Sequence, residues 1–277
     1  MTLWHDPIDQ QIAERPDALA ILDSVGTEWC YADLDRAIAD VETVLTGQGL
    51  KRGQRVLLLA ENCAAAVAVL FACSRQGVAV IPVNARQTAA EVERVKNHAE
   101  PALILATTAV SQNAMDHAAR LGGTKITGAF GALHMCQTEG GDADTPEDVA
   151  VLLYTTGTTG TPKGVMITHD NLVFAGQAAQ TFRALGPGHR VYGVAPISHV
   201  IGLASMLTAT LTAGATAGLE GRVAAERVLN ALRDGLLDPA AGPPVDALLM
   251  QNVRARGVGE VGRDALVNGP PGGAPVG

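Results

Sequence analysis

Apolar positions along this chain alternate between two patterns. Short, nearly unbroken runs read as buried strands, and runs that recur every three or four residues read as helices. Leu34, Ala37, Ile38, Val41, Val44 and Leu45 keep the helical period and predict a helix over 33–46, ended by Gly47 and Gly49. Arg55-Val56-Leu57-Leu58-Leu59-Ala60 predicts a buried strand, and Asn62 stands where it can cap a helix over 63–75 that Gly77 stops. A strand over 78–83, a helix over 89–99, a strand over 102–105 and a helix over 111–121 follow. Upstream lie a short helix over 7–15 and strands over 18–22 and 28–31. Downstream the pattern predicts strands at 149–153 and 165–168, a helix over 170–185 capped by Thr168, and a strand at 191–194. A helix over 203–211, a turn and strand within 213–219, and helices over 224–233 and 245–256 complete the pattern.

Strands alternating with helices of about 10–15 residues argue for βαβ units, so the expected class is α/β, with layered, mostly parallel sheets flanked by helices. Residues 137–148 are polar and acidic and read as a surface connection. The Gly- and Pro-rich run 269–277 holds no regular element of its own, and 264–277 is expected to be a flexible tail. Asp, Glu, Lys and Arg are missing from 191–219, a length that could span a bilayer. Pro196, several glycines and many Ser and Thr residues argue instead for a buried strand, loop and helix, so no membrane span is expected.

Between the strands at 149–153 and 165–168 lies Tyr154-Thr155-Thr156-Gly157-Thr158-Thr159-Gly160-Thr161-Pro162-Lys163-Gly164. Glycine lets backbone N–H groups approach a ligand, threonine hydroxyls add donors, and one lysine adds a full charge. Donors plus a cation in a concave loop suit a polyphosphate. The same residues also suit a plain tight hairpin, but a hairpin needs only about two to five loop residues. No Lys-Ser/Thr pair follows at the Walker A spacing, and no helix follows as in a dinucleotide fingerprint.

Composition narrows the partners. The net charge is −8, which argues against nucleic-acid binding. Lys163 is one of four lysines in 277 residues. Cys30, Cys63, Cys73 and Cys136 show no metal-ligand spacing, and no basic and apolar leader opens the chain, so a reducing, cytoplasmic setting is expected.

Tyr154–Gly164 resembles the phosphate-loop signature of the adenylate-forming, AMP-dependent synthetase and ligase superfamily, the acyl-CoA synthetase branch in particular. The resemblance implies ATP, Mg²⁺ and coenzyme A as cofactors or co-substrates and a small carboxylic acid as substrate. It implies that Lys163 pairs with the phosphates and stabilises charge as pyrophosphate leaves, which would make it the catalytic residue. Thr155, Thr156, Gly157, Thr158, Thr159 and Gly160 would form the cradle with Lys163, and Thr155 would help hold Mg²⁺. Pro196-Ile197-Ser198-His199-Val200-Ile201-Gly202 resembles the family's Pro-x-x-His-x-x-Gly stretch, whose His borders the acyl pocket. A lone His in an apolar run otherwise packs in a core more often than it binds a ligand. Gly272-Gly273-Ala274-Pro275 resembles a stretch beside the nucleotide and acyl group, so Gly272, Gly273 and Ala274 join His199 and Gly202 as expected substrate contacts. No Asp stands near His199, and Thr158 stands where amino-acid-activating members usually have Ser; both favour a fatty or other non-amino acid.

The resemblance covers the chain from about Ala18 but only the first half of a family member. The adenine-binding motif, the ribose Asp, the hinge and the small C-terminal lid domain are not found. The expectation is therefore a partial N-terminal AMP-binding domain over 1–277, incompetent alone. The alternative is a non-catalytic fragment that binds phosphate or serves as an interaction module. Truncation would expose apolar surface through which the chain could associate.

Overall fold

Val56 to Ala60 are all buried, because strand β3 (Arg55–Ala60) runs through the middle of a seven-stranded sheet. The computed structural model of the chain describes residues 2–141, 144–155, 162–193 and 195–221. Successive strand residues face opposite ways, so β3 feeds two cores. Leu57 and Leu59 pack with Val92, Val95, Ala114 and Ala118 of α4 (Ala89–Ala99) and α5 (Gln112–Arg120). Val56 and Leu58 face α2 (Tyr31–Gly47) and α3 (Ala64–Gln76). β3 pairs in parallel with β4 (Ala79–Asn84) and β5 (Leu103–Ala106), as βαβ units require.

The sheet changes character at its edges. On one side the hairpin of β6 (Thr124–Gly128) and β7 (Gly131–Gln137) adds antiparallel strands beside β5. On the other, β8 (Val149–Thr155) runs parallel to β4, and β9 (Lys163–Thr168) closes the edge antiparallel to β8. The order is β6-β7-β5-β3-β4-β8-β9. The β6–β7 hairpin was not readable from the apolar pattern, since β6 buries no residue and offers no apolar run.

A second sheet has the order β10-β11-β1-β2, built from β1 (Leu19–Asp23), β2 (Glu28–Cys30), β10 (Arg190–Gly193) and β11 (Thr216–Leu219). Ile21, Val191, Ala217 and Leu219 of this sheet share one core with α2, α3 and β3. That explains the apolar sequence of α3: Ala66 to Ser74 are all buried, as in a helix covered on every side. Gly77 ends α3 with φ 67°, a left-handed C-cap that a side chain would strain. Asn62 does not cap α3. The N-cap is Cys63, and Asp23 Oδ2 accepts from the Ala64 N–H at 3.2 Å.

Helix α6 (His169–Phe182) starts as expected, with the Thr168 hydroxyl accepting from the Asn171 N–H at 3.1 Å. The helix expected over 203–211 is a π-helix over Ile201–Thr208 that continues into α7 (Ala209–Thr212). The Thr208 hydroxyl donates to the Leu203 carbonyl five residues back, at 2.9 Å. Among the described residues no helix is long and apolar enough to cross a membrane. The helices expected over 224–233 and 245–256 and the tail over 264–277 lie outside the described residues.

Residues from the two ends of the described chain meet at Trp4. Its backbone N–H donates to His169 Nδ1 at 3.0 Å, and its indole N–H donates to Thr208 Oγ1 at 2.9 Å. Burial, and then His5, hold the His169 pKa below 6.5, while Asp6, Asp148 and Asp170 pull the other way. His5 is lowered too, chiefly by burial and against Asp9 and Asp6. Below about pH 6.5 the unfolded chain binds protons that the folded chain resists, so stability falls as pH falls. The thermal midpoint is expected to drop between about pH 7.5 and about pH 5, and His169→Asn should flatten part of that drop. An unchanged slope in the variant would remove His169 from this account.

Candidate functional site

The Gly/Thr segment joins β8 to β9, which pair with each other. Backbone pairing sets Tyr154 opposite Gly164 and Thr155 opposite Lys163, so the first and last residues of the expected cradle face each other across the ladder. Val149 to Leu153 are buried and anchor one arm. β9 is an edge strand whose Val165 and Met166 are exposed. The strands expected on either side of the loop are both present, extended to Thr155 and back to Lys163. Thr156, Gly157, Thr158, Thr159 and Gly160 lie outside the described residues.

Lys163 is exposed, and no described residue pairs with its ammonium. Beside it, the Tyr154 phenol lies 2.8 Å from His98 Nδ1, with the two rings edge-on at 5.6 Å. Burial raises the Tyr154 pKa and Arg55 counteracts, so the phenol stays neutral and fixes the hairpin arm against α4.

From β9 the chain enters α6, which packs against the π-helix. A Cβ on Gly176 would lie 2.6 Å from the Thr208 side chain, so the glycine lets the two helices come close there. Arg183, at the end of α6, donates to the Ser205 carbonyl and hydroxyl, both at 2.7 Å. The hairpin is thus linked through α6 to the segment that carries His199.

His199 is exposed at the entrance of the π-helix. Its N–H donates to the Pro196 carbonyl at 2.9 Å, and its Nδ1 accepts from the Ile201 N–H at 3.3 Å. Gly202 is buried against the same turn, where an added Cβ would stand 2.1 Å from the Pro196 oxygen. His199 and Gly202 therefore belong to one compact turn over 196–202. Val200 and Ile201 in this turn, and Phe174 and Phe182 on α6, are large apolar residues left exposed. Gly272, Gly273 and Ala274 lie outside the described residues.

The residue that sequence reading missed is Asn62. It is 4% exposed, and its side-chain amide donates to the Gly193 carbonyl at 3.1 Å and the Ala195 carbonyl at 2.9 Å. Its Oδ1 accepts from the Ile197 N–H at 2.9 Å. The neighbouring Glu61 carboxylate takes bonds from Arg86 and Ser111, at 2.8 and 3.0 Å. Burial opposes its charge, but those bonds prevail and hold the carboxyl below the ordinary carboxylate range. Arg86 also donates to the Gly221 carbonyl. Asn62 and Glu61, at the end of β3, thus reach the segments leaving β10 and β11. The carboxyl ends of parallel strands are where open α/β sheets bind ligands.

The sequence profile of the AMP-binding enzyme family matches residues 8–234. The chain belongs to that family. Feruloyl-CoA synthase of an Amycolatopsis species is 30% identical over 220 residues, which cover 79% of this chain and 44% of that one. The L-proline–[L-prolyl-carrier protein] ligase of Pseudomonas fluorescens is 29% identical over 224 residues, 78% of this chain and 44% of that one. The ATP-bound crystal structure of MatB from Rhodopseudomonas palustris matches with a TM-score of 0.66 at 25% identity, over 84% of this chain and 48% of that one. The chain therefore spans less than half the length of these two relatives.

Proposed function

We propose that this chain carries the nucleotide-phosphate and acid-binding part of an acyl-CoA synthetase-type ligase. In the reaction, a carboxylate oxygen of the acid attacks the α-phosphorus of ATP, and pyrophosphate leaves as the bond to the bridging oxygen breaks. The thiol of coenzyme A then attacks the acyl carbon, and AMP leaves as the thioester forms. Because the chain spans under half the length of feruloyl-CoA synthase, the two-step reaction is proposed of the whole protein.

The observation that carries this reading is the Thr155–Lys163 pair at the base of a Gly/Thr loop, in a chain of the AMP-binding family. Lys163 would act by charge, holding the phosphates and offsetting the negative charge that grows on departing pyrophosphate. Thr155 would offer one hard oxygen to a Mg²⁺ that arrives on the phosphates, as Mg²⁺ usually does. Bound there, the ion would neutralise phosphate charge. His199 would border the acid, with Gly202 letting the turn close tightly behind it. The proposed acid is a non-amino carboxylic acid, fatty acids among them, since no Asp stands near His199 to hold an amine. The exposed apolar residues on β9, α6 and the 196–202 turn are proposed to meet further protein surface. All four cysteines are free, which suits a cytoplasmic setting.

Titration of the 277-residue chain with Mg²⁺–ATP is expected to saturate and to be competed by pyrophosphate. Addition of ferulate, 4-coumarate or decanoate should give a second saturable change that proline does not. Absence of ATP binding at millimolar nucleotide would overturn the phosphate-loop reading. Proline binding as well as the other acids would overturn the acid class.

A further inference from the structure

We infer that Asn62 is the positioning residue of the acid-binding turn, an inference that rests on the acid-binding reading of His199. Its amide can donate twice and accept twice, and three of those capacities are used on one short segment, at Gly193, Ala195 and Ile197. The segment leaves the second sheet at Gly193, the last residue of β10, and the described residues 195–200 pair with no strand before the π-helix begins at Ile201. At Ala195 and Ile197 Asn62 supplies the bonds that a neighbouring strand would supply elsewhere.

The position of the clamp sets what it controls. Upstream of Asn62 is β3, the central parallel strand of the large sheet. Downstream of Ile197 is the turn in which the His199 N–H holds the Pro196 carbonyl and Gly202 closes against it. The 196–202 turn is therefore one block, and Asn62 seats it on the rigid centre of the other sheet. Ile197 is 1% exposed, so loss of Oδ1 would leave its N–H buried without a described partner. Such a group cannot stay in place without cost, so the turn would shift, and His199 with it. Asn62 itself need not touch the acid. Lys163 belongs to β9, and the hydrogen bonds of Asn62 go to 193, 195 and 197 rather than to β8 or β9, so nucleotide affinity should be spared.

The test uses the 277-residue chain with Mg²⁺–ATP and, separately, ferulate, 4-coumarate and decanoate as probes. In Asn62→Ala, amide exchange over 193–203 should quicken by at least about tenfold beyond the change in the β3–β5 core, since three hydrogen bonds to the segment are lost. Acid Kd should rise by about tenfold, with ATP Kd within about twofold of wild type. Asn62→Asp preserves shape and the Ile197 bond but loses both donors and sets a carboxylate against two carbonyls. It should match or exceed the Ala variant, which separates the hydrogen bonds from the packing. Thr108→Val, which removes the 2.7 Å Thr108–His134 contact at the same end of the large sheet, is the control. It should cost stability without moving either Kd or the 193–203 exchange. If Asn62→Ala fails to fold, Asn62→Ser carries the same comparison. A wild-type chain that binds ATP but no acid overturns the acid-binding reading and this inference with it. A wild-type chain that binds acid no better than Asn62→Ala does, or a variant whose 193–203 exchange moves only with the core, overturns this inference alone.

Discussion

Replacing Gly202 with alanine is expected to destabilise the chain by about 3 kcal/mol, near the upper end of overpacking penalties. In an ordinary helix the same change would help, because alanine is favoured over glycine by up to about 1 kcal/mol. Sterics reverse the sign here. The new Cβ would stand 2.1 Å from the Pro196 oxygen, 2.5 Å from its carbonyl carbon and 2.7 Å from the Ala195 oxygen. All three are backbone atoms, so no side chain can swing aside. The backbone of 195–197 cannot retreat freely either, since Asn62 holds Ala195 and Ile197. A loss of about 3 kcal/mol should lower the thermal midpoint by roughly 6–12 °C for a chain of this size. Gly47 makes the comparison. It ends α2 with open space around it, and Gly47→Ala should be neutral or stabilising. A Gly202→Ala midpoint within a degree or so of wild type would mean that the turn has another way to close.

What could be read in advance divides along a physical line. Local patterns transferred well. The apolar runs of β3, β4, β5 and β8, the helical period of α2, the Thr168 cap and the Gly77 stop each depend on residues within about one turn or one strand. Chemistry that depends on distant residues did not. Asn62 stands just before a helix, which is what a cap looks like, yet its partners lie at 193, 195 and 197. The polar pair Glu61-Asn62 directly after the apolar run Val56–Ala60 was the available signal, and sequence spacing cannot tell which carbonyls Asn62 meets. The π-helix over Ile201–Thr208 was read as an ordinary helix because the two share an apolar face over so short a span. Its last residue, Thr208, bonds the Leu203 carbonyl through its hydroxyl and also takes the indole N–H of Trp4. The β6–β7 hairpin escaped because β6 lies at the sheet edge, where burial imposes no pattern. At the candidate site, the hairpin arms and the 196–202 turn were legible as motifs. The clamp that seats the turn was not.

Lys163→Ala is expected to weaken ATP and pyrophosphate binding by roughly ten- to a hundredfold, the range of losing one charge-assisted contact. The fold should not notice. Lys163 is exposed on an edge strand, and its contribution to β9 is backbone pairing with Thr155, which alanine retains. A thermal midpoint within about 2 °C of wild type is therefore expected, since surface changes away from special features are usually worth under about 0.5 kcal/mol. That combination, large in binding and small in stability, separates a ligand-facing lysine from a turn residue. Salt gives a second reading of the same charge. Raising ionic strength should weaken ATP binding in the wild type more steeply than in Lys163→Ala, because the variant has lost a cation facing the phosphates. Lys163→Arg should recover only part of the affinity: it restores the charge but offers a planar fork where a compact ammonium fits. An unchanged ATP affinity in Lys163→Ala would remove the lysine from the phosphate site. The Thr and Gly residues of the hairpin tip would then be left as a neutral cradle.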